Sequence, residues 1–234
     1  VIAQMISLSR NLGDRNIQAH LGKWNKSAVG CREVRGKTLG IVGYGHIGSQ
    51  LSVLAESLGL QVIYFDIVKK LPLGNAKRME TLSELLGQSD FISLHVPETT
   101  QTINMIGATE LAQIKKGSHL INASRGTVID IPALVDAMKS CHLGGAAVDV
   151  FPLEPQSNSE SFKSALQGLS NVILSPHIGG STEEAQESIG HEVADSFIKF
   201  IMNGSTTWAV NFPNVDLPIH KNTTRVLNVH KNMP

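Results

Sequence analysis

Gly43, Gly45 and Gly48, with Tyr44, His46 and Ile47 between them, are spaced as a turn that can hold phosphate. A glycine at the first position permits a tight turn. One at the second lets the main chain approach a pyrophosphate, and one at the third lets a helix pack close to a strand. The phosphates would then rest on the N–H groups and the positive dipole end of that helix. Asp66 stands about 20 residues further on, at the end of a second apolar run, as the dinucleotide fingerprint requires. A carboxylate there accepts hydrogen bonds from the adenosine ribose and repels a 2′-phosphate, which predicts NAD over NADP. Lys69 and Lys70 beside it read as solvated surface lysines. The plain alternative is a glycine-rich turn without a ligand. The ordered strand, glycine loop, helix and acid favour the dinucleotide.

Three further ionisable residues lie at or just beyond later apolar runs. Arg125 follows Asn122-Ala123-Ser124, Glu154 follows Phe151-Pro152-Leu153, and His177 follows Ser175-Pro176. Ligands of open α/β sheets bind outside the carboxyl ends of the strands, so all three are expected at one crevice. A guanidinium can hold a carboxylate bidentately. An imidazole exchanges a proton near neutral pH, and a neighbouring acid orients it and favours its charged form. The chain has nine histidines, so position has to choose among them. His20, His119, His142, His191, His220 and His230 take a structural or surface reading. His95 ends a strand at the crevice, where it would touch a cofactor. Glu154, between two prolines, could simply stiffen a loop. No His/Cys/Asp set has metal-ligand spacing, and no nucleophile elbow surrounds Ser124.

The elements that must position these groups show in the hydropathy pattern. Short apolar runs at Thr38 to Val42, Gln61 to Phe65, Phe91 to Val96, Ser118 to Ala123, Gly145 to Val150 and Asn171 to Ser175 read as six strands. Helical segments are expected at Ile47 to Leu58, Ser83 to Gly87, Ala108 to Ile114 and Ile131 to Lys139. Strands apolar on both faces, alternating with helices, predict an α/β fold, a doubly wound parallel sheet of the Rossmann type. Val1 to Trp24 has helical spacing interrupted near Gly13. Ser181 to Asn203 reads as one long amphipathic helix capped by Ser181 or Thr182 and ended by Gly204. Thr224 to His230 alternates weakly and could begin a strand.

Composition narrows the classes. The 234 residues carry 20 Lys+Arg against 20 Asp+Glu, a balance that argues against a nucleic-acid binder. Two distant cysteines, Cys31 and Cys141, make no disulfide framework, so a cytoplasmic setting is the natural expectation. No apolar run reaches the ~18–20 residues of a membrane span, and the opening residues lack the marks of a signal peptide.

The motifs together resemble the D-isomer-specific 2-hydroxyacid dehydrogenases. The likeness rests on Gly40 to Gly48, Ser93-Leu94-His95-Val96-Pro97, Ile121 to Val128, Ala147 to Phe151 and Ser175 to Thr182. Lys70 to Ala76 and Val210-Asn211-Phe212-Pro213 resemble its phosphoglycerate branch. The resemblance implies oxidation of D-3-phosphoglycerate to 3-phosphohydroxypyruvate with NAD, on the way to serine. Arg125 would grip the substrate carboxylate, His177 would take the hydroxyl proton, and Glu154 would pair with His177. Gly43, Gly45, His46, Ile47, Gly48, Asp66, His95, Val96, Pro97, Ala123, Ser124, Arg125, Asp149, His177, Gly179 and Gly180 would line the cofactor. Trp24 and Lys26 would belong to a subunit interface and an anionic site, with a plain core anchor the alternative for Trp24.

The same resemblance sets the domain expectations. Residues 1–180 would be the dinucleotide domain, with 1–24 a crossover helix. Residues 181–212 would return toward a substrate domain that this family places before the nucleotide domain. Residues 213–234 would be a linker and the start of an ACT-type domain that binds a serine effector. Both ends would then be cut, in a protein expected to be a homo-oligomer. Another member of the family, a hydroxypyruvate/glyoxylate reductase or a lactate dehydrogenase, is the first alternative. An NAD-binding module without turnover is the second.

Overall fold

The computed structural model describes residues 1–209, 212–216, 218, 222–224, 226, 228 and 230. They fall into two compact units, Val1–Gly179 and Gly180–Pro234. The first is built on seven parallel strands: β1 (Thr38–Val42), β2 (Gln61–Phe65), β3 (Lys77–Arg78), β4 (Phe91–Leu94), β5 (His119–Asn122), β6 (Gly145–Val148) and β7 (Val172–Leu174). Their order across the sheet is β3-β2-β1-β4-β5-β6-β7. The direction of winding reverses between β1 and β4, so the crevice of a doubly wound sheet opens there.

Six of the strands stand where the apolar runs predict them. β3 was not expected. It is a two-residue polar edge strand, Lys77-Arg78, paired only to β2, and so leaves no hydropathy signal. The expected strands also overrun. β4, β5 and β6 stop at Leu94, Asn122 and Val148. His95, Ala123 and Asp149, which the expected runs include, have already left the ladder and are available for other work.

Both faces of the sheet are covered, which is why its strands are apolar throughout. Ile92, Leu94, Leu120, Ala146 and Val148 pack on one side with α4 (Leu82–Gln88), α5 (Ala108–Gln113) and α6 (Ile131–Lys139). Leu39, Ile41, Tyr64, Phe91, Ile121 and Ala147 pack on the other with α1 (Ile2–Ser9) and α3 (His46–Ser57). Alternate residues of one strand thus serve opposite cores. The segment expected as one crossover helix is two, α1 and α2 (Leu12–His20). The break is at Asn11, with a left-handed φ of 51° that asparagine tolerates, while Gly13 lies inside α2. Trp24, for which a core anchor was one reading, is 89% exposed.

The second unit contains α7 (Glu183–Asn203). Thr182, rather than Ser181, caps it by accepting from Ala185 N at 3.1 Å, Glu183 and Glu184 sit at its positive end, and Gly204 ends it with φ 69°. Thr206 then joins Pro213 O (2.6 Å) and Val215 N (2.9 Å). Of the stretch 224–230, where a strand was expected, Thr224, Val226, Asn228 and His230 are described and none is in a strand, while 225, 227 and 229 lie outside the described residues. Among the described residues no helix is long and apolar enough to cross a membrane.

Close packing in the centre of the sheet leaves a clear test. A Cβ at Gly40 of β1 would lie 2.7 Å from Leu85 Cδ2 and run into Ser89 Oγ, both from α4 and its end. Gly40→Ala should destabilise the fold by about 1–3 kcal/mol through overpacking. Thermal unfolding followed by circular dichroism would read this as a lowered midpoint.

Candidate active site

The register of the sheet levels the strand ends. Val42 pairs with both Phe65 and Leu94, Leu94 with Asn122, Asn122 with Val148, and Val148 with Leu174. Every loop that carries a predicted site residue in this unit therefore leaves from one edge of the sheet.

The glycine loop follows β1. Gly43 has φ 91°, and its N–H donates to Phe65 O at 2.9 Å. A Cβ there would strike the His95 carbonyl, because the loop after β4 crosses close by at the winding reversal. At Gly48 a Cβ would strike the Gly43 carbonyl, so the first turn of α3 rests directly on the strand end. Gly45 is different: nothing lies within 4 Å of the position its Cβ would take. Open space there, at the N-terminus of a helix that no side chain caps, fits a pyrophosphate well. His46 and Ile47 are exposed on the same turn. Asp66 reaches this loop directly. Its Oδ2 accepts from Tyr44 N (2.8 Å) and its Oδ1 from Val68 N (2.8 Å). A carboxylate has about four lone-pair sites, so ribose hydroxyls can still be accepted.

The loop after β4 brings His95, Val96 and Pro97 opposite the glycine loop. His95 Nε2 lies 2.8 Å from Ser93 Oγ, and burial lowers the imidazole pKa to about 4. It is therefore neutral at physiological pH. Glu98 accepts from Thr127 Oγ1 at 2.6 Å, which ties this loop to the turn after β5.

That turn is organised by a residue the motifs did not single out. Asn122, almost fully buried at the end of β5, accepts from Ser124 N (3.0 Å) and Ser124 Oγ (2.8 Å) and donates to Arg125 O (3.0 Å). Its sequence signal is a polar side chain closing an otherwise apolar strand. Arg125 is exposed, and its guanidinium donates to Ser124 O at 2.7 Å. Gly126 packs on the Phe151 main chain so closely that no Cβ fits. This contact sets Arg125 beside the loop that carries Glu154.

Glu154 and His177 meet. Glu154 Oε2 lies 2.8 Å from His177 Nδ1, and Glu154 Oε1 accepts from Phe151 N at 2.8 Å. Burial works to raise the Glu154 pKa, but the bonds from His177 and the Phe151 N–H outweigh it and hold the carboxyl below its ordinary range. Both side chains remain partly open to solvent. They border a cavity of about 510 Å³ that Phe151, Phe162, Leu174 and Pro176 also line.

Asp149 is buried beneath the pair and shapes the turn that presents the histidine. Its Oδ1 accepts from Ser175 Oγ and from Ile178 N (3.1 Å), and its Oδ2 from Gly179 N (3.0 Å). Its main-chain carbonyl accepts from His177 N at 2.7 Å. These bonds hold His177 at φ 53°, a left-handed conformation costing of order 1–3 kcal/mol for a non-glycine residue. Ser175 was not foreseen as part of this hub. Gly180 opens the second unit and is not placed against these groups. Among the described residues no three metal-ligating side chains gather.

Comparison with known proteins gives concordant findings. Residues 2–179 match the model of the D-isomer specific 2-hydroxyacid dehydrogenase, NAD binding domain. The D-3-phosphoglycerate dehydrogenases of Haemophilus influenzae and Escherichia coli K12 are 57% and 58% identical over all 234 residues. The chain covers 57% of the length of each, so it spans little more than half of these relatives. The NAD-dependent formate dehydrogenase of Staphylococcus aureus, solved in complex with NAD, superposes with a TM-score of 0.77 at 30% identity. That superposition covers 87% of this chain and 60% of the other.

The buried histidines give a pH test. His95 and His119 are both lowered by burial from 6.5 to about 4. The native state refuses protons that the unfolded chain accepts, so stability is full above pH 6.5 and falls as pH drops toward 4. Urea unfolding across this window should show net uptake of about two protons from these sites, less in a His95→Gln variant.

Proposed function

Because the chain belongs to the D-isomer-specific 2-hydroxyacid dehydrogenase family, we propose that it carries the cofactor and proton-transfer side of an NAD-dependent oxidation of D-3-phosphoglycerate to 3-phosphohydroxypyruvate. The carrying observation is the Glu154–His177 contact of 2.8 Å on the same sheet edge as an open glycine loop. The phosphoglycerate assignment draws on the full-length match to relatives of that name.

The residues divide the work. Gly45, His46, Ile47 and Gly48 receive the pyrophosphate, and Asp66 takes the adenosine ribose. His95 to Pro97, Ala123, Ser124, Asp149 and Gly179 line the rest of the dinucleotide. NAD, when bound, supplies the hydride acceptor. Arg125 pairs its guanidinium with the substrate carboxylate, and its positive charge stabilises the negative charge that develops on the substrate oxygen as its proton leaves. With Nδ1 turned to Glu154, His177 Nε2 takes the hydroxyl proton. Glu154, held ionised, keeps the ring oriented and favours the imidazolium that forms. A serine effector on an ACT-type domain, a homo-oligomeric assembly and a cytoplasmic setting belong to the same reading. The effector rests on the resemblance of residues 226–234, the assembly on that of Trp24 and Lys26, and the cytoplasmic setting on the free cysteines Cys31 and Cys141. A second reading is an NAD-binding module without turnover. The chain's 57% share of its relatives' length favours it for the chain by itself. It predicts NADH binding with negligible dehydrogenase activity.

Initial rates in the protein that carries this chain test the main reading. Oxidation needs a base free to accept the hydroxyl proton, so kcat/KM should rise with pH, and a flat profile between about pH 6 and 9 would exclude His177 as that base. Glu154→Gln removes the carboxylate that holds His177 Nδ1 in place, so kcat should fall. His177→Ala should lower kcat by about 10²–10⁴ with NADH binding retained. Arg125→Lys should raise KM for the acid by loss of the bidentate grip. Faster turnover of glyoxylate or lactate than of phosphoglycerate would move the assignment elsewhere in the family.

A further inference from the structure

Tyr44 fills a variable position of the glycine loop, yet it is 3% exposed and its ring stacks on Tyr64 of β2 at 3.8 Å between centroids. Its hydroxyl lies 2.7 Å from Ser52 Oγ on α3 and 3.1 Å from Leu73 N. Ser52 Oγ donates its own proton to Ser49 O at 2.7 Å. Only one direction then supplies a proton to every bond: Leu73 N–H to Tyr44 Oη, Tyr44 O–H to Ser52 Oγ, Ser52 O–H to Ser49 O. Three other ties fasten the same stretch of chain. Tyr64 Oη donates to Lys70 O (2.8 Å), Glu56 Oε1 accepts from Asn75 N (2.8 Å), and Asp66 Oδ1 accepts from Val68 N (2.8 Å). Burial holds the Tyr64 phenol above its ordinary pKa, so it stays a donor.

The stretch 67–75 has no strand or helix of its own, and its side chains are exposed. Its own packing cannot order it, so its position depends on these ties. It begins directly after Asp66, with Ile67 82% exposed at the place where an adenosine held by Asp66 would lie. We infer that Tyr44, Tyr64 and Glu56 are positioning residues that pre-form segment 67–75 as the wall for the adenosine half of the dinucleotide. The inference rests on the dinucleotide reading of the glycine loop. A wall ordered in advance spares the ligand the entropy of ordering it, so loosening any tie weakens binding without touching the reacting atoms.

Titration calorimetry with ADP-ribose, which has the adenosine half and lacks nicotinamide, tests this alongside steady-state kinetics. Tyr44→Phe keeps the stack and deletes one hydroxyl. It should weaken ADP-ribose and raise KM for NAD by about three- to tenfold with kcat retained, as expected for one lost hydrogen bond and an N–H left without its acceptor. Glu56→Ala, at the far end of α3 from the phosphate, should act in the same direction. A lowered melting temperature with unchanged ADP-ribose affinity in both variants would reduce the tyrosine pair to core packing and overturn the inference while leaving the dinucleotide reading intact. Failure of the wild-type protein to bind ADP-ribose and NADH would overturn the dinucleotide reading itself, and this inference with it.

Discussion

Parallel pairing in a common register governs how this molecule brings its site together. Val42, Phe65, Leu94, Asn122, Val148 and Leu174 form one transverse row across six strands. Each strand is followed by a loop, and because all strands run the same way, all these loops begin at the same level. Residues as far apart in sequence as Gly43 and His177 thus start from one edge. The reversal between β1 and β4 then separates two sets of helices and leaves a crevice above their strands. A one-residue slip in any pair would reverse which core each side chain meets, so burial on both faces holds the register.

Above that edge, short polar networks do what a buried sheet cannot. Asn122 and Asp149 are nearly fully buried and occupy adjacent strand ends, with Asp149 N donating to Asn122 O at 2.9 Å. Each turns its side chain onto a loop rather than into the core: Asn122 onto the turn that follows it, Asp149 onto the turn after the neighbouring β7. Asn122 shapes the turn carrying Arg125, and Asp149 shapes the turn carrying His177. The left-handed backbone of His177 persists because Asp149 accepts hydrogen bonds from the residues around it. Arg125 and His177 sit on irregular chain, but that chain is anchored to the sheet by the satisfied buried polar groups of Asn122 and Asp149.

How much of this could be read beforehand depends on the range of the interaction. The glycine loop was legible because its three glycines answer to contacts within one strand-turn-helix unit. β1, β2 and β4 to β7 were legible because burial on both faces leaves unbroken apolar runs. β3 was hidden because a two-residue edge strand of Lys77 and Arg78 has no apolar signature. The interruption expected near Gly13 falls at Asn11, because either residue can interrupt a helix and local propensity does not rank them. Arg125, Glu154 and His177 could be proposed from their positions after apolar runs. Asn122, Ser175 and Tyr44 looked like ordinary strand, loop and motif filler.

The amino-acid order by itself determined the class of fold and pointed to the glycine loop and to Arg125, Glu154 and His177 as candidates at one edge of the sheet. Those follow from short-range periodicity and from side-chain chemistry, which need no distant partner. Only the tertiary structure decided that Glu154 reaches His177 at 2.8 Å, that Gly126 presses Arg125's turn against Phe151, and that Tyr44 reaches across to Leu73. Each of these joins segments separated by 23 or more positions in the chain. Their meeting is set by sheet register and two-sided packing rather than by any local preference.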